Sequence, residues 1–201
     1  MNHSAGAPRL GILLCINGTG ILNSWIRRQV AGELDYEDMN RLAASAPAGC
    51  DGLSVLPFGN GAERVLANRN MGARFSGIDF VRHDRAHLLR AAQEGIAFSF
   101  RYGIDIMKGL GLDPGVIRAG RANLFLSPLF RSTLATVTGA RIELFDTDGS
   151  LGAARGAALG AGYYRSPAEA FERLQKVGET LPESSWEVPL EEAYALWKEQ
   201  L

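Results

Sequence analysis

Apolar and polar positions alternate along this chain in blocks of two kinds. Arg9 to Ile16 contains a run of seven apolar or small residues, Leu10 to Ile16, and predicts a strand; Gly18 and Gly20 then break it. A helix is expected over Ile21 to Val30, and another over Asp35 to Ala46. In the second, Tyr36, Met39, Leu42 and Ala43 recur at helical spacing, and Pro47, Gly49 and Gly52 close it. Leu53 to Phe58 predicts a strand that ends at the turn signal Gly59-Asn60-Gly61, and Arg74 to Phe80 a short one. Asp84 is a suitable N-cap for the longest helix, Arg85 to Leu110. Its Leu88, Ala92, Ile96, Phe100, Ile104 and Met107 form one stripe. Gly109, Gly111 and Pro114 end it.

The second half repeats a simpler rhythm. Val116 to Ala119 predicts a strand running into a loop at Gly120. Ser127 caps a helix to Val137 with Pro128 at its first position, and Arg141 to Phe145 predicts the next strand. After a turn at Asp146 to Ser150, a small-residue helix is expected from Leu151 to Tyr164. The tail, Ser166 to Leu201, is expected to hold two amphipathic helices split by Pro182 and Pro189. Strand–helix–strand–helix order implies one α/β domain with a mainly parallel sheet flanked by helices.

Composition narrows the field. With 201 residues, 46% hydrophobic and 21% charged, the chain is ordinary globular material. A net charge of −1 supplies no field for nucleic acid or an anionic membrane. Seven apolar residues are far too few to span a bilayer, which takes about 20, and no leader pattern is expected. Two cysteines, Cys15 and Cys50, without metal-type spacing suit a reducing cytoplasm. Glycine is in excess: 24 residues, where about 7% is usual, which points to tight turns and close backbone approaches.

Several chemistries fall away on inspection. No glycine precedes any of the three lysines (Lys108, Lys176, Lys198), so there is no P-loop. His83 and His87 are four apart but lack the intervening glutamate of a zinc motif, and solvated or capping roles suit them better. Ile142 to Ser150 resembles the first motif of haloacid-dehalogenase-type phosphatases through Asp146 and Asp148. No aspartate follows Asp148 to complete a magnesium site, so a strand ending in an Asx-type turn is the better reading. Gly152, Gly156 and Gly160 would form a smooth helical ridge, for packing on the sheet or for approach to a bound nucleotide. Arg118 to Asn123 lies where a strand meets a loop. Such strand ends gather ligands in parallel sheets, Gly120 permits close approach, and Asn123 offers both a donor and an acceptor.

The order of segments resembles one family. Gly52-Leu53-Ser54-Val55-Leu56-Pro57-Phe58-Gly59-Asn60-Gly61-Ala62-Glu63-Arg64 is similar to the "GLLFLPYLSGERTP" stretch of FGGY carbohydrate kinases. Ala73 to Ile78 and His87 to Phe98 resemble that family's second signature, with Gln93 standing where an apolar residue is usual. Ile117 to Gly120 takes the place of its Gly-rich nucleotide loop, with a single glycine in place of three. Ser127-Pro128-Leu129-Phe130 resembles the "SPLW" that follows, and Gly156 to Ala161 the closing "ALGAA" helix.

The resemblance, to the xylulokinase-like subgroup in particular, implies an actin-like, RNase-H-like ATPase domain. It implies an ATP- and Mg2+-dependent sugar kinase acting on D-xylulose or a related ketose. The matched segments would be its C-terminal, nucleotide-binding domain, 1–201. The sugar-binding half, the catalytic aspartate and the hairpin for the terminal phosphates would lie upstream. Asn17-Gly18-Thr19-Gly20 could pass for that hairpin, but the helix with Trp25 expected after it makes it more like a later segment lining the entry to the C-terminal domain. Ala119, Gly120, Arg121, Ala122 and Asn123 are then the nucleotide-binding candidates. Asn60, Glu63 and Arg64 would face the interdomain cleft, Arg64 toward phosphate, unless Glu63 and Arg64 merely form a surface ion pair. A metal site built by this chain is not expected. The partners implied are the sugar, the other kinase half and a second copy in a homodimer. A phosphatase centred on Asp146 and Asp148, or a non-catalytic actin-like nucleotide-binding module, are the alternatives.

Overall fold

A computed structural model describes residues 11–201. Helix α1 (Thr19–Ile26) runs on into a π-helical turn, Arg27–Ala31, and α2 (Tyr36–Ala43) follows. Strands β1 (Ser54–Phe58) and β2 (Gly72–Ser76) come next, then the long α3 (Arg85–Gly109). The second half runs β3 (Val116–Gly120), α4 (Pro128–Thr138), β4 (Arg141–Phe145), α5 (Gly149–Gly160), α6 (Pro167–Phe171), β5 (Lys176–Thr180) and α7 (Glu187–Lys198).

Local chemistry explains the element ends. Asp84 accepts from the amides of Ala86 at 2.9 Å and His87 at 3.2 Å, and the His87 ring turns back to the cap. Ser127 Oγ accepts from Phe130 N at 3.2 Å to start α4 behind Pro128, and Gly139 ends it with φ +70°. Both are first- and last-turn solutions for backbone groups that have no intrahelical partner.

The α/β character stands, but the expectation of a mainly parallel sheet does not. The strands form two small sheets. In one, β1 and β2 are antiparallel, with Ser54 opposite Ser76 and Phe58 opposite Gly72. In the other, β4 lies between β3, to which it is parallel, and β5, to which it is antiparallel. The parallel pair is the one expected on either side of α4. The antiparallel partners arise because β2 comes back along β1 after the connection over residues 59–71, which carries the 3-10 turn Arg64–Leu66, and β5 returns from the tail.

Three further expectations change. Positions 9–10 of the first predicted strand lie outside the described residues, and residues 11–16 belong to no strand. The tail is not two helices: it carries the short α6, the edge strand β5 and α7. Pro189 sits inside the first turn of α7, where a missing N–H costs nothing. Finally, α5 has no buried residue, and a Cβ on Gly152, Gly156 or Gly160 would meet nothing within 4 Å, so the ridge is not packed on the sheet.

One apolar core joins the two sheets through α3, which packs on β1, and α4, which packs on β4 and β5. Leu89, Ile96, Leu56, Phe58, Phe130, Leu134, Ile142, Leu190 and Trp197 are all fully buried in it. Helix α3 lies directly on β1 at Gly95, where a Cβ would stand 2.0 Å from Val55 O. Helix α7 is tied to the same strand by Trp197 Nε1, which donates to Val55 O at 2.9 Å.

Candidate functional site

The end of β3 and the start of α4 are joined by a short tight segment. A Cβ on Gly120 would lie 2.5 Å from Thr147 O, so only glycine lets β3 end against the β4–α5 connection. The Arg121 amide donates to Phe145 O at 2.9 Å and the Ala122 amide to Gly120 O at 2.8 Å. Two amides that a phosphate-cradling loop would present are therefore engaged within the chain. Asn123 then adopts φ +52°, a left-handed conformation that asparagine tolerates better than most residues, and opens a 3-10 turn, Asn123–Leu126.

This turn forms one wall of a cleft of about 610 Å³. Thr19, Gly20 and Asn23 of α1 line it, with Tyr36 and Asn40 of α2 and Phe100 of α3. Asn123 to Ser127 and Phe130 complete it. The volume suits a drug-sized or nucleotide-sized ligand, for which about 300–1,000 Å³ is usual. Its lining is aromatic and apolar with a few carboxamides and hydroxyls, and it includes no carboxylate or imidazole.

The segment Asn17–Thr19 is a turn that enters α1. Asn17 Nδ2 donates to Ala62 O at 2.9 Å and Asn17 N to Glu63 Oε2 at 2.8 Å. Glu63 is thus buried and holds that turn, and no ion pair with Arg64 forms. Asn60 and Arg64 are exposed, and none of Asn60, Glu63 and Arg64 lines the cleft. Of the loop candidates, Asn123 lines it. Ala119 is buried beneath, and Arg121 is exposed at the loop surface.

Of the acidic pair, Asp148 is engaged within the chain. Asp148 Oδ1 accepts from Leu151 N at 2.8 Å and from Ser150 Oγ at 2.7 Å, which makes it the N-cap of α5. Those bonds, the backbone one first, hold its carboxyl below the usual carboxylate range. Among the described residues no group of three or more His, Cys, Asp or Glu side chains is gathered to hold a metal. His87 caps α3 beside Asp84, while His83 Nδ1 accepts from Asp79 N at 2.9 Å.

One cleft feature escaped the sequence. Gln93, the departure from the family signature, is 1% exposed and bridges two cleft elements. Its Nε2 donates to Asn40 Oδ1 at 2.8 Å, and its Oε1 accepts from Ser127 Oγ at 2.9 Å. A polar residue in an apolar pattern was the available signal; its partners lie 53 and 34 positions away.

The fold is the actin-like one shared by solved sugar kinases. The ligand-bound xylulose kinase of Lactobacillus acidophilus superposes with a TM-score of 0.78 at 22% identity, over 91% of this chain and 37% of that one. The xylulose kinase of Rhodospirillum rubrum does so with a TM-score of 0.75 at 24% identity, over 90% and 37%. Residues 4–164 match the FGGY family of carbohydrate kinases, C-terminal domain, and the chain belongs to that family. The xylulose kinase of Haemophilus influenzae is 33% identical over 167 residues, covering 80% of this chain and 33% of that protein. The L-xylulose/3-keto-L-gulonate kinase of Escherichia coli is 34% identical over 154 residues, covering 75% and 30%. The chain thus spans about a third of the length of these relatives.

Proposed function

We propose that this chain is the nucleotide-binding part of an ATP-dependent carbohydrate kinase that phosphorylates D-xylulose or a related ketose in the cytoplasm. The observation that carries the reading is a coincidence of place. Asn123, the last residue of the segment expected to hold the nucleotide, opens the turn that walls the 610 Å³ cleft as far as Ser127. Within this reading the apolar lining takes the base, Asn123 bonds base or ribose, and Arg121 approaches the α-phosphate. The first turn of α1, with Thr19 and Gly20 at the cleft, presents amides that lack intrahelical partners and suit an anion. These N–H groups take over from the engaged amides of Arg121 and Ala122. Asn60 and Arg64 are left for the side where a second kinase half would close.

Magnesium finds no protein-built site among the described residues. Magnesium would arrive with the nucleotide, whose phosphates supply the oxygen ligands it favours, and would neutralise their charge. The chemistry this chain supplies is binding and orientation, which in phosphoryl transfer is a large share of catalysis. Calorimetric titration of the purified chain with ADP tests the reading. Weak, saturable binding that falls on substitution of Asn123 supports it; no binding at millimolar ADP refutes it.

A further inference from the structure

We propose that Asn40 and Asn23 read the base of the nucleotide, Asn40 as donor and Asn23 as acceptor, with buried Gln93 as the positioning residue that sets the polarity of Asn40. The proposal rests on the nucleotide reading above and adds which base the cleft selects and how.

The argument starts at the α4 cap. Ser127 Oγ accepts the Phe130 amide and has one proton to give, which goes to Gln93 Oε1 at 2.9 Å. With its oxygen committed there, Gln93 turns its amino group to α2, where Nε2 meets Asn40 Oδ1 at 2.8 Å. Asn40 must then offer its oxygen inward, and its own Nδ2, with two N–H groups, is left for the cleft that Asn40 lines. A helix cap thus fixes, through one buried side chain, which end of a carboxamide faces the ligand.

On α1, Asn23 lines the same cleft, and its Oδ1 is buried without a hydrogen-bond partner. A buried acceptor left unpaired is costly; this oxygen is covered, and in the proposed complex the Asn23 side chain turns toward the cleft so that a ligand donor removes that cost. The cleft therefore offers one donor carboxamide and one orphaned acceptor between apolar walls. Adenine answers with ring nitrogens that accept and an exocyclic amine that donates. Hypoxanthine carries an oxo group in place of that amine, and would set oxygen against oxygen at Asn23. One mismatched buried hydrogen bond corresponds to about tenfold in affinity.

The test compares ADP with inosine diphosphate on the purified 201-residue chain by calorimetry. The unsubstituted chain should favour ADP by about tenfold. Asn40→Ala and Asn23→Ala should each cut that ratio to about twofold or less. Gln93→Glu supplies only acceptors, so Asn40 must turn its amino group inward and its oxygen to the cleft. The preference for ADP should fall again, which loss of packing alone does not produce. Gln93→Leu should also lose the preference; if it does not fold, as judged by thermal unfolding, Asn40→Ala carries the test from the cleft side. Equal binding of the two nucleotides, or a ratio unmoved by Asn40→Ala and Gln93→Glu, overturns this proposal and leaves nucleotide binding intact. Binding of neither nucleotide overturns the nucleotide reading itself, and this proposal with it.

Discussion

Asn123 combines two properties that a single substitution would confuse. It holds φ +52° at the mouth of the cleft, and its carboxamide is the loop side chain that lines it. Alanine there removes the carboxamide and also pays for a left-handed backbone, whereas glycine removes the carboxamide alone. Both variants should lose ADP affinity by about 1–3 kcal/mol if the side chain bonds the ligand. Affinity retained in Asn123→Gly but lost in Asn123→Ala would show that only the backbone conformation matters. Asp148 yields a pH prediction. Its folded carboxyl titrates below the unfolded value of about 3.9, so its capping contribution is present above that value and is lost as pH falls through the folded one. Asp148→Ala should therefore melt lower than the unsubstituted chain at pH 7, with the gap closing below about pH 4. Caps of this kind were legible in the sequence, because Asp84 and Ser127 accept from amides two or three positions away and Pro128 fits the first helical position, where no N–H is needed. Gln93 was legible only as an oddity, since nothing local announces a partner on another helix.

At the scale of elements, the same distinction separates what was read from what was missed. Helices α3 and α4 and strands β1, β3 and β4 have apolar periodicity together with end signals, so pattern and chemistry agree. Strand β5 has neither: Lys176-Val177-Gly178-Glu179-Thr180 is polar and largely exposed, and is a strand because β4 offers it an edge. Residues 11–16 show the converse, an apolar run that belongs to no strand. Helix α3 also carries an ion pair that its pattern did not reveal. Arg90 Nε donates to Glu94 Oε1 at 2.8 Å with both side chains nearly inaccessible. Arg90 also bonds Ala46 O, and Glu94 accepts from Gly49 N. The pair thus anchors the connection between α2 and β1. Glu94→Ala, which leaves a buried guanidinium uncompensated, should lower the unfolding free energy by about 3–5 kcal/mol in a denaturant titration. The double variant Arg90→Met, Glu94→Leu should recover much of that loss. A double variant no more stable than the single one would mean the pair is worth more than apolar packing of the same volume.

For the whole molecule, the expectation is a binder that does not turn over. The cleft lining has no carboxylate or imidazole to take a proton from a sugar hydroxyl, and a general base typically contributes about 10²–10⁴ in rate. Alignment of the sugar with the nucleotide contributes more, and needs a second surface facing the first. The chain spans about a third of its kinase relatives, and in the function proposed above the sugar site and its base belong to the other part. Exposed apolar side chains, Phe80 at 95% and Val81 at 99% among them, favour self-association of the isolated chain. Purified residues 1–201 with ATP, magnesium and D-xylulose should therefore release no ADP above background in a coupled assay, and should run as a concentration-dependent mixture in analytical ultracentrifugation. Supplying the aspartate-bearing half of a related kinase should restore turnover. Sugar-dependent ADP release by the 201-residue chain alone would sink this account, because it would demand a base and a sugar site that the cleft does not contain.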